Sequence, residues 1–351
     1  MRHIFILILI LAGMAAAQSG RVKPGETPSP KPRVPAGVYV PTTSDRPRVT
    51  EPTPTPRVKP DEEEITVDST LVPIPAAVID ANGRVVTTLN VANFELRIDG
   101  RPAEIGELTR SETPIRLAML FDNSSSVSIA RDFEKEAALK FFRRVIRPEK
   151  DLAALYSVST TVRLEQRFTA EISSLTRAIE MFAPPEGATA LLDGIIASAD
   201  YLTGVPGRRV IVIVSDGDDT ISDSTFEQTL KALQLSNCQV YVVKTTDFEN
   251  YKRTGSRKGN ANLRQLAAER RMLEIANQTG GSVYSPVDER EVDEAFRQII
   301  AALSQQYILS YYPDDEPARR GEFREITLAV KNKPGLTVKT RKGYYAMASS
   351  N

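Results

Sequence analysis

The sequence predicts an α/β protein. We expect a doubly wound, mainly parallel sheet with helices on both faces, inserted in or flanked by a small β-sandwich-like domain. Between about residues 114 and 306, strands that are apolar throughout alternate with amphipathic helical stretches, a pattern typical of a parallel sheet covered on both faces. On either side of that region the pattern changes to β-rich stretches separated by turns, which indicates the second, smaller domain.

The first residues have the properties of a signal peptide. Arg2 precedes an apolar run from Ile4 to Leu11, and Ala15-Ala16-Ala17 forms an A-x-A cleavage site. An uncleaved anchor is the alternative, but this run is too short to span a membrane, and no later segment is apolar enough to do so. We therefore expect residues 1–17 to be removed and the mature protein to be exported, to a bacterial periplasm or to the extracellular or cell surface.

Residues 18–64 are rich in proline. They hold eleven of the 23 prolines and few large apolar residues, so this segment cannot form a core. We expect a disordered or extended spacer that links the signal peptide to the folded part. A ligand for a proline-binding module is the alternative.

Two separate segments predict the small β domain. In residues 65–113, the stretches ITVDSTLVPIPAAVID and VVTTLNVANFELRID are divided by turns at Asn82-Gly83 and Asp99-Gly100. These supply only half of a sandwich. Residues 307–346 supply the strands YILSYYP, FREITLAV and LTVKTRKGYYA, so we expect both segments to form one domain that the middle of the chain interrupts. Residues 347–351 are a short tail.

The middle segment, 114–306, supplies the parallel sheet. PIRLAMLFD is an apolar strand, and a helix follows it from about Ser128 to Val145. LAALYSVS and TVRLEQRF predict a hairpin, and ISSLTRAIEMF and ALLDGIIASADYL predict two helices. The remaining strands are RRVIVIVSDG, QVYVVKT and SVYS, and the remaining helices are TFEQTLKALQ, NLRQLAAERRMLEIANQ and EREVDEAFRQIIAAL. In such sheets the binding surface lies beyond the carboxyl ends of the strands.

Oxygen-bearing side chains follow two of these apolar strands. Asp122, Ser124 and Ser126 follow the first strand, Asp216 follows the second, and Thr189 lies on a loop before a helix. Because alternate residues of an extended loop face the same way, the D-x-S-x-S spacing allows its members to share one ion. Two carboxylates and three hydroxyls suit Mg²⁺, with Mn²⁺ or Ca²⁺ as alternatives, and suit zinc or copper poorly.

The spacing Asp122-x-Ser124-x-Ser126, with the later Thr189 and Asp216, resembles the metal-ion-dependent adhesion site of von Willebrand factor type A domains. This resemblance implies that Ser124 and Ser126 bind the metal directly. It implies that Thr189 and Asp216 bind directly or through water, and that Asp122 acts largely through water. An open coordination position would then accept an Asp or Glu carboxylate from a protein partner.

The resemblance covers about residues 114–306 and includes the stretches ALLDGI and IANQTGGSVY. One departure is Ser125, where many members of that family have glycine, which tolerates the turn better. The flanking strand patterns are similar to an exported bacterial group of von Willebrand A-related proteins. That similarity concerns architecture more than function, and neither pattern indicates the oligomeric state.

Composition excludes several classes of function. The single histidine, His3, lies in the leader, which excludes a histidine base or a histidine-ligated metal, and the single cysteine, Cys238, excludes a disulfide framework. With 45 basic and 45 acidic residues, there is no electrostatic basis for a nucleic-acid partner. We therefore predict a binding protein rather than an enzyme. The alternatives are a Mg²⁺-dependent hydrolase or phosphotransferase using Asp122 and Asp216, or a structural envelope module with an unused metal site.

A second set of residues is a candidate for contact with a partner. Residues 245–262 follow a strand, so we expect a loop at the rim of the metal site that could select an acidic partner by charge. A mobile loop with solvated charges is the alternative. The candidate partner-binding residues are Lys252, Arg253, Arg257, Lys258 and Asp218. Asp193 we interpret as a carboxylate in the first turn of a helix.

Overall fold

A computed structural model describes the folded part of the chain, namely residues 71–110, 113–125, 131–257, 262–313 and 321–346, without the side chain of Phe133. These residues belong to one compact unit, Ile65–Asn351. The predicted signal peptide, the proline-rich segment and the tail lie outside the described residues, as do Ser126 and Lys258. Within the described ranges, no helix combines the length and the apolar character that crossing a membrane requires.

The chain forms strands and helices with the following bounds. The strands are β1 (Val72–Ile79), β2 (Phe94–Ile98), β3 (Arg101–Ala103), β4 (Leu108–Arg110), β5 (Ile115–Asp122), β6 (Leu152–Val158), β7 (Val162–Thr169), β8 (Arg208–Ser215), β9 (Gln239–Lys244), β10 (Val283–Tyr284), β11 (Tyr307–Tyr311), β12 (Phe323–Val330), β13 (Thr337–Thr340) and β14 (Gly343–Tyr345). The helices are α1 (Arg131–Val145), α2 (Ile172–Glu180), α3 (Leu191–Leu202), α4 (Phe226–Leu235), α5 (Thr246–Thr254), α6 (Leu263–Thr279) and α7 (Glu289–Ser304).

The central sheet has six strands in the order β10-β9-β8-β5-β6-β7. All neighbours are parallel except β6 and β7, which form the predicted antiparallel hairpin. From β5 the chain moves to β6 on one side and later returns to β8 on the other side. The connections therefore diverge between β5 and β8, and the carboxyl ends of these two strands are the place where open sheets of this kind bind ligands.

Helices cover both faces of this sheet, which confirms the predicted doubly wound α/β class. Alternate residues of β5 point to opposite faces: Met119 packs with α1, α2 and α7, whereas Leu120 packs with α3, α4 and α6. Both side chains are fully buried. A strand buried on both faces must be apolar at every position, and this explains the continuous apolar runs in the sequence.

Two antiparallel sheets form the small β-sandwich-like part, in the orders β13-β1-β11-β4 and β14-β12-β2-β3. Strands before the central sheet pair with strands after it: β1 with β11, and β2 with β12. Ile74, Phe94, Tyr307 and Ile326 lie in their shared core. The hairpin between β2 and β3 turns at Asp99-Gly100, where both residues have positive φ, as a tight two-residue turn requires.

The structure corrects two predictions of local structure. The stretch LTVKTRKGYYA is two strands in different sheets, because the N–H of Lys342 donates to Gln278 O (3.0 Å) in the central domain and the ladder stops there. The expected loop at 245–262 is helical over α5. Acidic residues in its first turn and basic residues in its last turn favour this helix, and Gly255 ends it at φ +70°.

Candidate metal centre

The site begins where β5 and β8 end side by side. The pair Phe121 and Val214 is in register, so the next residues of the two strands, Asp122 and Ser215, lie at the same level. The Ser215 hydroxyl donates a hydrogen bond to Asp122 Oδ2 at 2.6 Å. Asp122 is therefore held at the carboxyl edge of the sheet with its side chain turned toward β8.

The chain after β5 folds back over the end of this strand. The N–H of Ser124 donates to Asp122 Oδ1 (2.9 Å), which forms an Asx turn. The N–H of Asn123 donates to Val158 O (2.7 Å) and fastens the turn to β6. Both Asp122 and Ser124 are only 2% exposed. The position of Ser126 lies outside the described residues.

The loop that carries Thr189 contacts both neighbouring loops. Ser125 Oγ donates to Gly187 O at 3.0 Å. The N–H of Thr189 donates to Thr220 Oγ1 (2.9 Å), and the N–H of Thr220 donates back to Thr189 O (2.9 Å). The structure therefore brings together the three loops that carry Asp122, Thr189 and Asp216, and it buries Thr189.

The loop after β8 is anchored on its far side by α5. The N–H of Asp218 donates to Asp216 Oδ1 at 2.9 Å. Thr246 Oγ1 donates to Asp216 O (3.2 Å), and the N–H of Thr245 donates to Ser215 O (3.0 Å). The start of α5 therefore forms one wall of the site.

Two further aspartates have structural contacts beside the site. Asp193, in the first turn of α3, accepts hydrogen bonds from the N–H groups of Asp223 and Ser224, both at 3.0 Å. Asp219 Oδ1 accepts the N–H of Leu192 at 3.1 Å. Both carboxylates hold the loop after β8 against α3.

The charged groups at the site, Asp122 and Asp216, are both negative. Burial raises the pKa of Asp122 to about 6, and the negative charge of Asp216 adds to that increase, although hydrogen bonds from Ser215 and Ser124 oppose it. A raised carboxyl pKa means that the ionised form lacks a nearby compensating charge. This pair of carboxylates is therefore arranged to gain from a bound cation.

Two carboxylates that the sequence reasoning missed lie close to this pair. Burial and then the charges of Glu249, Asp122 and Asp216 raise the pKa of Glu134 well above its usual range, opposed by Arg131. Burial and then the charges of Asp216 and Asp122 raise the pKa of Glu249 to about 8, although a hydrogen bond from Thr245 lowers it.

A signal for Glu134 was present in the sequence. Glu134, Ala137, Ala138 and Phe141 share one helical face of α1, and all are buried. A carboxylate on the apolar stripe of a helix indicates a special role. Glu249 had no comparable signal, because its segment was expected to be a loop.

The residues present fit a hard divalent cation. Asp122, Ser124, Thr189 and Asp216 offer two carboxylates and two hydroxyls, an all-oxygen set of the kind that Mg²⁺ binds. Within the described ranges, no group of three or more Asp, Glu, His or Cys side chains could hold a metal ion. Hydroxyl oxygens would therefore have to complete the coordination here.

The candidate partner-binding residues are largely engaged in ion pairs. Lys252 pairs with Glu289 at the start of α7. Arg257 pairs with Asp288 and, at 3.0 Å, with Glu291. These contacts tie α5 and the residues after it to α7.

Arg253 and Asp218 also have neighbours. Arg253 donates to Asn250 Oδ1 (2.6 Å) on its own helix. Asp218 Oδ2 pairs with Arg264 at 2.5 Å. Lys258 lies outside the described residues. A partner would therefore meet a surface whose described charges are mostly neutralised.

Comparison with known proteins identifies the central domain. The model of the von Willebrand factor type A domain matches residues 117–298. A search of curated proteins finds no match.

Among solved structures, the PilB minor pilin from Streptococcus sanguinis is similar at 12% identity and TM-score 0.42. The similarity covers 56% of this chain and 63% of the pilin, so this chain spans less than two thirds of the pilin's length. BatB from Bacteroides thetaiotaomicron is similar at 13% identity and TM-score 0.40, over 54% of this chain and 98% of BatB. An aerotolerance-related membrane protein from Bacteroides fragilis is similar at 19% identity and TM-score 0.39, over 53% and 98%. These similarities concern the fold alone.

Proposed function

The chain belongs to the von Willebrand factor type A domain family, whose domains are protein-interaction modules, and we propose that it is an exported protein that captures an acidic side chain of a partner through a divalent cation. The observation that supports this best is the contact between the three loops that carry Asp122, Ser124, Thr189 and Asp216. At that contact, the buried carboxylate of Asp122 and the half-buried carboxylate of Asp216 repel one another. A cation there would compensate the repulsion.

Each residue of the candidate site would contribute to cation binding through a different group. Ser124 and Thr189 would offer hydroxyl oxygens, and Asp216 would offer a carboxylate, while Ser126 completes the motif. Asp122 is held by Ser215 and by the Ser124 N–H, so its oxygens are oriented before a metal arrives. When bound, Mg²⁺ (with Mn²⁺ or Ca²⁺ as alternatives) would supply an electrophilic position for an Asp or Glu carboxylate of the partner.

Export and domain bounds are parts of this proposal that rest on the sequence. Residues 1–17 supply the leader, and residues 18–64 would act as a spacer. The binding domain would span 114–306, with 65–113 and 307–346 forming the β domain. We place the mature protein in a bacterial periplasm or at the cell surface.

We propose a binding role rather than a catalytic one. Domains of this family are typically interaction modules rather than enzymes. The hydrolase alternative needs Asp122 as a free nucleophile, but both of its carboxylate oxygens already accept hydrogen bonds, from Ser124 and Ser215. The only histidine in the sequence is His3, so no imidazole base is present.

The test combines metal titration with partner capture. We expect the mature chain to bind Mg²⁺ in calorimetry and to retain a protein from the native envelope in Mg²⁺ but not in EDTA. Asp216→Ala should weaken Mg²⁺ binding at least about tenfold, because it removes one charged ligand. The matched control is Asp223→Ala, an exposed carboxylate on the same loop. Capture that survives both EDTA and Asp216→Ala would show that the partner uses another surface.

A further inference from the structure

We propose that Glu134 and Glu249 form an outer carboxylate wall of the metal centre, which holds metal-bound water and makes the site select Mg²⁺ over Ca²⁺. This inference rests on the proposed function, since it concerns the same ion. It assigns a role to two residues that do not belong to the D-x-S-x-S motif and are neither Thr189 nor Asp216.

The first observation is an unpartnered buried oxygen. Glu134 lies in the first turn of α1 and is only 3% exposed. Its Oε1 is buried, and none of the residues that the structure describes gives it a hydrogen bond. A buried carboxylate oxygen without a donor is costly, so this atom is available to a donor from outside the described protein groups, such as a metal-bound water.

The second observation is what surrounds Glu134. The nearby charges that act on it are the carboxylates of Glu249, Asp122 and Asp216, and one cation, Arg131. The guanidinium of Arg131 is engaged elsewhere: it donates to Asn123 Oδ1 and to Ala183 O. Glu134 therefore faces a concentration of negative charge that Arg131 offsets only in part.

Glu249 approaches the same region from the other side. It lies one turn into α5, and Thr245 Oγ1 donates to its Oε1 at 3.0 Å. The start of α5 is fastened to the residues that end β8, through Thr245 to Ser215 and through Thr246 to Asp216. Glu134 on α1 and Glu249 on α5 thus flank Asp122 and Asp216 from two helices.

The arrangement of the acidic side chains argues for an outer role rather than direct coordination. Within the described residues, no three acidic side chains could hold a metal ion together. Carboxylates beyond the direct ligands would accept hydrogen bonds from water on the ion, as outer partners of metal sites do. Mg²⁺ keeps several of its waters and gives them up reluctantly, whereas Ca²⁺ takes more direct ligands. A wall that binds water therefore favours Mg²⁺.

The experiment uses Glu134→Gln in the mature chain, because glutamine keeps the size and removes the charge. Mg²⁺ and Ca²⁺ are titrated separately by calorimetry, and Tm is measured without metal. We expect Mg²⁺ binding to weaken about tenfold, Ca²⁺ binding to weaken less, and the metal-free Tm to stay or rise because repulsion is relieved. The matched control is Glu136→Gln, whose side chain on the same helix is 65% exposed.

The outcomes separate the two proposals. A wild-type chain that ignores Mg²⁺ would refute the proposed function itself. A wild-type chain that binds Mg²⁺, together with a Glu134→Gln variant that binds it equally well, would overturn the outer wall alone. A variant with a lower metal-free Tm and an unchanged preference between Mg²⁺ and Ca²⁺ would also overturn it, since that result describes a structural residue. If Glu134→Gln does not fold, Glu249→Gln is measured in the same way.

Discussion

At the scale of single residues, Glu249 links the electrostatics of the candidate metal centre to the stability of the fold. Its pKa rises from the ordinary 4.5 to about 8, first because of burial and then because of Asp216. Below pH 4.5 the group is protonated in both the folded and the unfolded chain. Between pH 4.5 and about pH 8, the carboxyl group of Glu249 loses its proton in the unfolded chain but keeps it in the folded chain. Rising pH therefore favours unfolding.

We therefore expect Glu249 to lower the stability of the metal-free protein as pH rises from 4.5 to 8. Thermal unfolding in EDTA should show that the Tm of Glu249→Gln relative to wild type increases over this range, because glutamine does not titrate. Added Mg²⁺ should reduce this difference. A Tm difference that is constant with pH would contradict the assigned shift.

Sequence spacing singled out most of the candidate site residues but not their surroundings. Asp122, Ser124, Thr189 and Asp216 were recognisable because a local motif and strand ends mark them. Ser215 and Glu249 were not recognisable, because their importance comes from which elements lie side by side after folding. Periodicity marks which face of a helix is buried but not what that face meets.

At the scale of secondary-structure elements, α3 holds the loop that carries Asp216. Asp193 accepts two backbone N–H groups, those of Asp223 and Ser224. Asp193 and Ser224 are 31 positions apart in the sequence. Their hydrogen bond holds the long connection after β8 in one position beside the candidate site. The first-turn position of Asp193 is as expected, and its contacts to the loop are an additional finding.

Asp193→Ala should therefore lower stability by about 1–2 kcal/mol, because two donors lose a charged acceptor at a partly exposed position. Urea denaturation measures this loss. Asp200→Ala is the matched control, since Asp200 is exposed near the end of the same helix. Equal stability of the two variants would show that the loop is held by its other contacts.

The helix α5 shows why a polar segment was interpreted as a loop. Its residues have little apolar periodicity, and only Thr246 and Phe248 are buried. It is stabilised instead by its C-terminal glycine and by ion pairs with α7, such as that between Lys252 and Glu289. Partners that are distant in sequence leave no pattern within the segment.

At the scale of the whole molecule, the C-terminal end of α6 joins the central domain to the β strands. Gly280 ends α6 with φ +79°. A Cβ at this position would lie 2.5 Å from the carbonyl carbon of Thr340 and 2.6 Å from the backbone nitrogen of Arg341. The two backbones approach so closely that only glycine fits.

Gly280→Ala should destabilise the protein more than Gly255→Ala does. Both glycines end helices at positive φ, which costs about 1 kcal/mol for alanine, but Gly255 has open space around it. The backbone clash should add at least about 2 kcal/mol at Gly280. Thermal and urea unfolding of both variants measure the difference, and equal losses would mean that the contact between the domains relaxes freely.

Local patterns of hydrophobicity and spacing were enough to predict the class of the central sheet and its apolar strands, and to mark the candidate metal-binding residues. Tertiary structure alone decided three features: the switch of the last strand between sheets, the pairing of β1 with β11, and the approach of Glu134 and Glu249 to Asp122. Each depends on contacts between residues far apart in the chain. Such contacts follow from packing, in which burial and charge are set by neighbours that local sequence does not name.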